Sequence, residues 1–283
     1  MSVLPIGINP ETGEIGRFLP EGEGYEFTTP AQREARRKRR QRSRAIEMRS
    51  GMRWVACYHD AIRSVTLALS LTEAGALIRL LPYLRFKGEG RLIENGKPLK
   101  QTDIQRIIGR SKAATIALLR RLEELGIITK ETNGRTNIYS FNAEYHTYGT
   151  VNDGVKFTKL YQYHANEITR DLGLNEIGLL YKILPYFHYT TYYLCANPDE
   201  ENENNIEHLT RERLAELIGH EPETVSRLVA SLQAKGVILS TRSVSSVNYI
   251  VHPDVMYRKE TEDVEYTDFV RRLFKQHQLR QAM

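Results

Sequence analysis

Apolar residues recur along this chain in blocks that switch between the three-to-four-residue spacing of an amphipathic helix and the two-residue spacing of a strand. Ile104, Ile107 and Ile108 share one face of a short predicted helix that stops at Gly109. A second helix should start at once, with Ser111 placed to cap it and Ile116, Leu119, Leu122 and Leu125 spaced to pack inward, until Gly126 ends it. The segment IITKETNGRTNIYSF then offers β-rich arms around Asn133-Gly134, a pair that readily adopts the positive backbone angles of a tight hairpin. Helix, tight turn, helix and hairpin in that order predict a helix-turn-helix followed by a β-wing. The upstream GRLIENGKPL is a further hairpin signal and should supply the first strand of the wing sheet.

The same pattern occurs twice. GMRWVACYHDAIRSVTLALSLTEAGALIRLLPYLRF, from Gly51, aligns without a gap with GVKFTKLYQYHANEITRDLGLNEIGLLYKILPYFHY, from Gly154. Trp54 pairs with Phe157, Gly75 with Gly178, and Leu81-Pro82-Tyr83 with Leu184-Pro185-Tyr186, a core motif in each. After a longer insert the alignment resumes, Gly109 with Gly219, Leu122 with Leu232 and Gly126 with Gly236. In this second copy Leu209 to Ile218 and Glu221 to Ala234 are the two helices, Pro222 suits the first turn of the latter, and VILSTRSVSSVNYIV is a longer wing. An internal repeat of this length makes each copy a complete supersecondary unit. The expected fold is mainly α with small β wings (α+β): two tandem winged helix-turn-helix domains over residues 51–150 and 151–260. Residues 1–32, rich in Gly, Pro, Glu and Thr, read as an irregular arm, and residues 33–50 as a basic arm or helix. Residues 261–283 read as an amphipathic helix in which Val270, Leu273, Phe274 and His277 either dock on a domain or pair two chains as a homodimer.

Charge separates the two copies. Residues 51–150 hold fifteen Lys/Arg against nine Asp/Glu, whereas residues 151–260 hold eleven against fifteen. A winged helix-turn-helix sets the N-terminal part of its second helix against base edges in the major groove, and its wing near phosphates. Copy one would offer Arg110, Ser111, Lys112, Ala113 and Thr115 on that helix, with Lys130, Asn133 and Arg135 at the wing. Lys or Arg donates to guanine, Ser or Thr meets several bases, and Ala113 suits a thymine methyl. Copy two would offer His220, Glu221, Glu223, Thr224, Ser226 and Arg227, with Arg242 and Ser243 on its wing. Its carboxylates are repelled by phosphate but can accept from cytosine N4, so copy two either selects sequence or stands off DNA. The run REARRKRRQRSRAIEMR would add phosphate contacts through Arg36, Arg37, Lys38, Arg39, Arg40, Arg42 and Arg44.

Catalysis is not supported by any motif. GRLIENGK has five residues rather than four between its glycines, and Pro98 stands where a phosphate loop needs Ser or Thr. No His-apolar-His pair accompanies the tyrosines, as a rolling-circle nuclease would need. Cys57 and Cys195 have no partner at metal-ligand spacing and read as buried thiols, so no cofactor or metal is expected. With no apolar run of membrane length and no secretory start, the expected location is the bacterial cytoplasm, at the nucleoid.

In copy two, KFTKLY, LAELIGHEPETVSRLVASLQAKGVI and NYIVHPDVMYR resemble the winged-helix core of Firmicute plasmid replication proteins of the RepL type, over roughly residues 155–258. His252 stands where that family's Tyr-Ile-x-Asn-Pro turn has Asn. The tandem arrangement is similar in architecture to initiators of iteron plasmids. The resemblance implies a plasmid or phage replication initiator that binds double-stranded origin repeats through both domains and recruits host replication proteins. The residues equally suit a transcriptional repressor that binds an operator as a dimer, acting with the host transcription machinery, or a winged-helix scaffold that holds proteins. Deletion of residues 1–50 is expected to weaken binding to all duplexes alike and to flatten its salt dependence, measured as the slope of log affinity against log salt. A loss confined to one sequence would contradict the basic arm's role.

Overall fold

The computed structural model describes residues 6–8, 15–17, 30, 31, 34, 53–134, 136–151, 154–162, 166, 167, 170–242, 247–259 and 263–281. The chain divides into two compact units, Met1–Arg44 and Ala45–Met283. In the first, β1 (Ile6–Ile8) and β2 (Ile15–Arg17) pair antiparallel, with Ile8 opposite Ile15. This corrects the expectation of an irregular arm: Ile6, Ile8 and Ile15 are β-branched residues, enough for one short ladder. Residues 35–50, with Arg36, Arg37, Lys38, Arg39, Arg40, Arg42 and Arg44, lie outside the described residues.

The second unit contains both copies, and among the described residues most of their element order recurs. Copy one runs β3 (Trp54–Tyr58), α1 (His59–Thr66), α2 (Leu71–Leu80), a 3-10 turn at Leu81–Tyr83, β4 (Ile93–Glu94), β5 (Lys97–Pro98), α3 (Gln101–Ile108), α4 (Lys112–Glu124), β6 (Ile128–Asn133), β7 (Thr136–Phe141) and β8 (His146–Thr147). Copy two runs β9 (Phe157–Tyr161), α5 (Leu174–Ile183), a 3-10 turn at Leu184–Tyr186, α6 (Arg211–Ile218), α7 (Pro222–Ala234), β10 (Ile238–Arg242), β11 (Val247–Val251) and β12 (Met256–Tyr257), before the closing α8 (Val264–Gln281). Local chemistry sets the element ends. Ser70 and Glu73 close a reciprocal capping box at the start of α2, and Gly109 and Gly219, both at φ 70°, turn the chain from the first helix of each helix-turn-helix toward the second.

The two copies are joined by a seam with an approximate twofold axis. Strands β3 and β9 pair antiparallel at the centre of a four-stranded sheet ordered β12-β9-β3-β8. Ala56 faces Lys159, its own counterpart in the repeat, while Trp54 faces Tyr161 and Tyr58 faces Phe157, the same pair reversed. The outer strands repeat the symmetry: His146 sits beside Cys57 as Met256 sits beside Leu160. Trp54 stacks on its counterpart Phe157, ring centroids 5.9 Å apart. Beneath the sheet α2 crosses α5 at two glycines. Gly75 lies against the carbonyl of Leu174, and Gly178 lies against the carbonyl of Leu71, the counterpart contact. Thr72 Oγ1 donates to Asn175 Oδ1 at 2.9 Å, again a residue and its own counterpart. Such reciprocity is the signature of an isologous interface, which normally joins two chains. One apolar core runs through both copies, from Val55, Leu77 and Leu80 to Ile177, Leu180 and Ile183.

Helix α8 docks on copy two. Val270 and Phe274 are buried, Arg271 pairs with Asp254 at 2.7 Å, and Thr267 bonds Tyr192 at 2.7 Å. His252 stands at the turn where copy one has Asn142. In copy one the equivalent Asn142 accepts from the Glu144 amide through Oδ1 at 3.0 Å; in copy two His252 Nδ1 accepts from the Asp254 amide at 3.2 Å. The imidazole keeps the turn-forming hydrogen bond and also packs on Phe274, centroids 4.6 Å apart.

A Cβ added at Gly75 or Gly178 would overlap a carbonyl oxygen of the opposing helix, whereas one at Gly109 meets open space. Gly75→Ala and Gly178→Ala are each expected to lower the unfolding free energy in urea by about 1–3 kcal/mol through overpacking. Equal stability of either variant and the wild type would show that the helices do not approach this closely.

Candidate nucleic-acid interface

In copy one, helix α3, the Gly109 turn and helix α4 form the helix-turn-helix, and the β6–β7 hairpin follows it as the wing. Ser111 caps α4, its Oγ accepting from the Ala114 amide at 3.3 Å, as its position in sequence implied. Arg110, Ser111, Lys112 and Ala113 are all exposed at this helix start. Neither Arg110 nor Lys112 makes an ion pair or side-chain hydrogen bond among the described residues. Their charges face water beside the N-terminal end of the helix, where the backbone dipole also favours an anion.

Two residues of α4 are placed otherwise than the sequence suggested. Thr115, expected at the surface, is fully buried and donates through Oγ1 to the Ser111 carbonyl at 2.9 Å. That bond satisfies the hydroxyl and lets the residue join Leu118, Leu119 and Leu122 in the core. Ile116, expected inside, is 45% exposed. The inward face is therefore Thr115-Leu118-Leu119-Leu122, with Leu125 partly buried against the same core; of the expected residues only Ile116, about 100° round the helix from Thr115, points away. Of the wing residues, Lys130 is exposed and pairs with Glu123 of α4 at 3.0 Å, anchoring the hairpin to the helix. Asn133 ends β6 opposite Thr136, and Gly134 follows it at φ 62°. The Asn133 side chain and Arg135 lie outside the described residues. Exposed Arg120 and Arg121, both beside Glu124, extend the basic side of α4 and were passed over in sequence because they follow the first turns.

In copy two, Pro222 opens α7 and Glu221 precedes it without a side-chain cap. Glu221, Glu223 and Arg227 are exposed, and Thr224 and Ser226 are half-buried. Ser226 Oγ accepts from Arg211 at 3.5 Å, and the same guanidinium donates to the Tyr249 hydroxyl at 3.0 Å, so the wing strand and both helices are tied together. Arg242 ends β10, while its side chain and Ser243 lie outside the described residues. His220 turns toward the interior. Buried Lys182 of α5 donates to its Nε2 at 2.8 Å, to the Ile218 carbonyl at 3.0 Å and across the seam to the Thr66 carbonyl at 2.8 Å. Burial pulls the Lys182 amine down to about 8; burial and then the Lys182 charge hold His220 below its usual range. A second tie is specific to this copy: Glu176 of α5 accepts from Ser231 and Lys235 at the far end of α7. Their counterparts in copy one are Arg121, which pairs with Glu124 instead, and Leu125, which has no donor to offer.

Residues 191–254 match the Crp-like helix-turn-helix domain. This match covers less than a quarter of the chain, yet it spans the whole of α6, α7, β10 and β11 and ends just beyond His252. It identifies copy two as a helix-turn-helix domain with a wing and supports DNA binding by that architecture. No curated protein and no solved structure matches the chain. Among the described residues no helix is long and apolar enough to cross a membrane.

The Lys182 amine loses its proton near pH 8 in the folded chain, while an unfolded lysine holds it to about 10.5, so between these values the unfolded state binds more protons. The wild type is therefore expected to gain stability on a Lys182→Met variant as pH rises from about 8 toward 10.5, read from urea unfolding at each pH. A constant difference between the two would show that Lys182 titrates normally.

Proposed function

We propose that the chain is a sequence-specific double-stranded DNA-binding protein that presents two unlike helix-turn-helix units on one duplex. The observation that carries this reading is the exposed pair Arg110 and Lys112, without an ion pair among the described residues, at the start of α4 in a helix-turn-helix whose counterpart in copy two matches a Crp-like domain. Copy one, the basic copy, supplies most of the affinity through Arg110, Ser111, Lys112 and Ala113, with Lys130, Asn133 and Arg135 at the wing. Copy two adds selectivity through Glu221, Glu223, Thr224, Ser226 and Arg227, with Arg242 and Ser243 beyond. His220 serves to hold the turn against Lys182. Arg36, Arg37, Lys38, Arg39, Arg40, Arg42 and Arg44 contribute phosphate contacts independent of sequence. The axis through Ala56 and Lys159 implies that the two half-sites run in opposite directions along the duplex.

The biological role we favour is initiation of replication at plasmid or phage origin repeats, on the resemblance of KFTKLY and the following helix-turn-helix to plasmid replication proteins. A second reading, control of transcription from an operator, is favoured by the Crp-like match. Selection of duplexes from random and source-genome DNA by the full chain, followed by footprinting, separates them. An initiator should protect the composite site several times in tandem near an AT-rich stretch, and a regulator should protect it beside a promoter.

Replacement of Arg110, Lys112 and Arg135 together by Ala is expected to reduce affinity for the selected duplex at least tenfold, since each base-contacting residue contributes about 1–3 kcal/mol. Unchanged affinity in a titration at physiological salt would remove copy one from the interface.

A further inference from the structure

The outward stripe of α4 has a composition that general DNA affinity does not explain. Ala113, Ile116, Ala117 and Arg120 are spaced as i, i+3, i+4 and i+7, which places them on one face of the helix. All are exposed, and they stand opposite the buried Thr115, Leu118, Leu119 and Leu122. The helix thus turns to solvent an apolar strip of two small residues flanking a 45%-exposed isoleucine, with cations at both ends: Arg110 and Lys112 before it, Arg120 and Arg121 after it. A polyanion with an apolar floor fits this pattern. Within the major groove the apolar group is the thymine C5-methyl, while the other base-edge features are hydrogen-bond donors and acceptors. The counterpart stripe in copy two is Glu223, Ser226, Arg227 and Ala230, built largely of donors and acceptors.

We propose that copy one reads thymine methyl groups through Ala113, Ile116 and Ala117, with Ile116 the specificity-determining residue, so that the two halves of the composite site are read by different physics. This rests on the DNA-binding reading above. Small Ala113 and Ala117 let the helix approach the base edges, and the branched Ile116 side chain fills the space between adjacent methyls. Copy two instead discriminates by hydrogen bonds, with Arg227 suited to guanine and Glu223 to cytosine N4.

The test uses the full chain and a duplex selected by it from a random library. That duplex is resynthesised with dU for dT in one half-site at a time; dU keeps every hydrogen-bonding group of dT and lacks only the methyl. Substitution in one half is expected to weaken binding about fourfold per contacted methyl, from the transfer free energy of one buried carbon. The same substitution in the other half should leave affinity unchanged. Ile116→Ala, a change at an exposed position, should abolish most of the dT-over-dU preference, and Ile116→Val should retain it. Equal affinity for the dT and dU duplexes, or a preference undiminished in Ile116→Ala, would overturn the inference while leaving DNA binding intact. Failure to select any duplex would overturn the DNA-binding reading itself, and this inference with it, and would point to a protein as the partner of the α4 stripe.

Discussion

The close crossing of α2 and α5 is the constraint on which the rest of the second unit depends. A glycine on each helix admits the other's backbone, and because each contact is the counterpart of the other, neither glycine can be filled without displacing the opposing helix. The crossing fixes the spacing of the two helices beneath the central sheet, so that β3 and β9 can pair with Ala56 opposite Lys159. Burial then closes around it. Leu77 and Leu80 from one copy and Ile177 and Leu180 from the other belong to one buried core, and removal of such side chains from water supplies its main stabilisation. From that core Arg79 reaches the Leu172 carbonyl and Lys182 reaches the Thr66 carbonyl, each tying its own helix to the other copy.

The duplicated element order was legible in the sequence because it is carried by local periodicity: isoleucines on one face of α3, glycines at the turns and an Asn-Gly pair near the hairpin tip. The capping role of Ser111 and the Pro222 start of α7 were legible for the same reason. The seam was not. Gly75 and Gly178 stood out as matching positions, but the reason for glycine there lies in a helix distant in sequence, and pairing of β3 with β9 joins segments about a hundred residues apart. Nothing in either strand alone selects that partner.

The candidate interface shows the same boundary between local and non-local information. The leucines of α4 marked its inward face correctly, but its edge was decided by Thr115, whose hydroxyl bonds to Ser111 and so tolerates burial. Ile116 was displaced to the surface as a result. His220 looked like a surface residue of the turn until Lys182 was brought beneath it by the packing of α5, and a lysine in the middle of an apolar helix carried no sign of its partner. The exchange of Asn for His at residue 252 became intelligible only with Phe274 of the last helix placed over the ring.

The pseudo-twofold seam also determines how this molecule answers to its own abundance. In a two-chain protein, an interface of this kind must first assemble, so active species grow with the square of concentration at low expression and subunits exchange between related proteins. Here both halves are made in one translation event and in fixed one-to-one stoichiometry. The seam therefore adds no steepness to a dose-response curve and cannot be poisoned by a defective partner subunit. It also leaves each half free to carry its own charge, basic in one and acidic in the other.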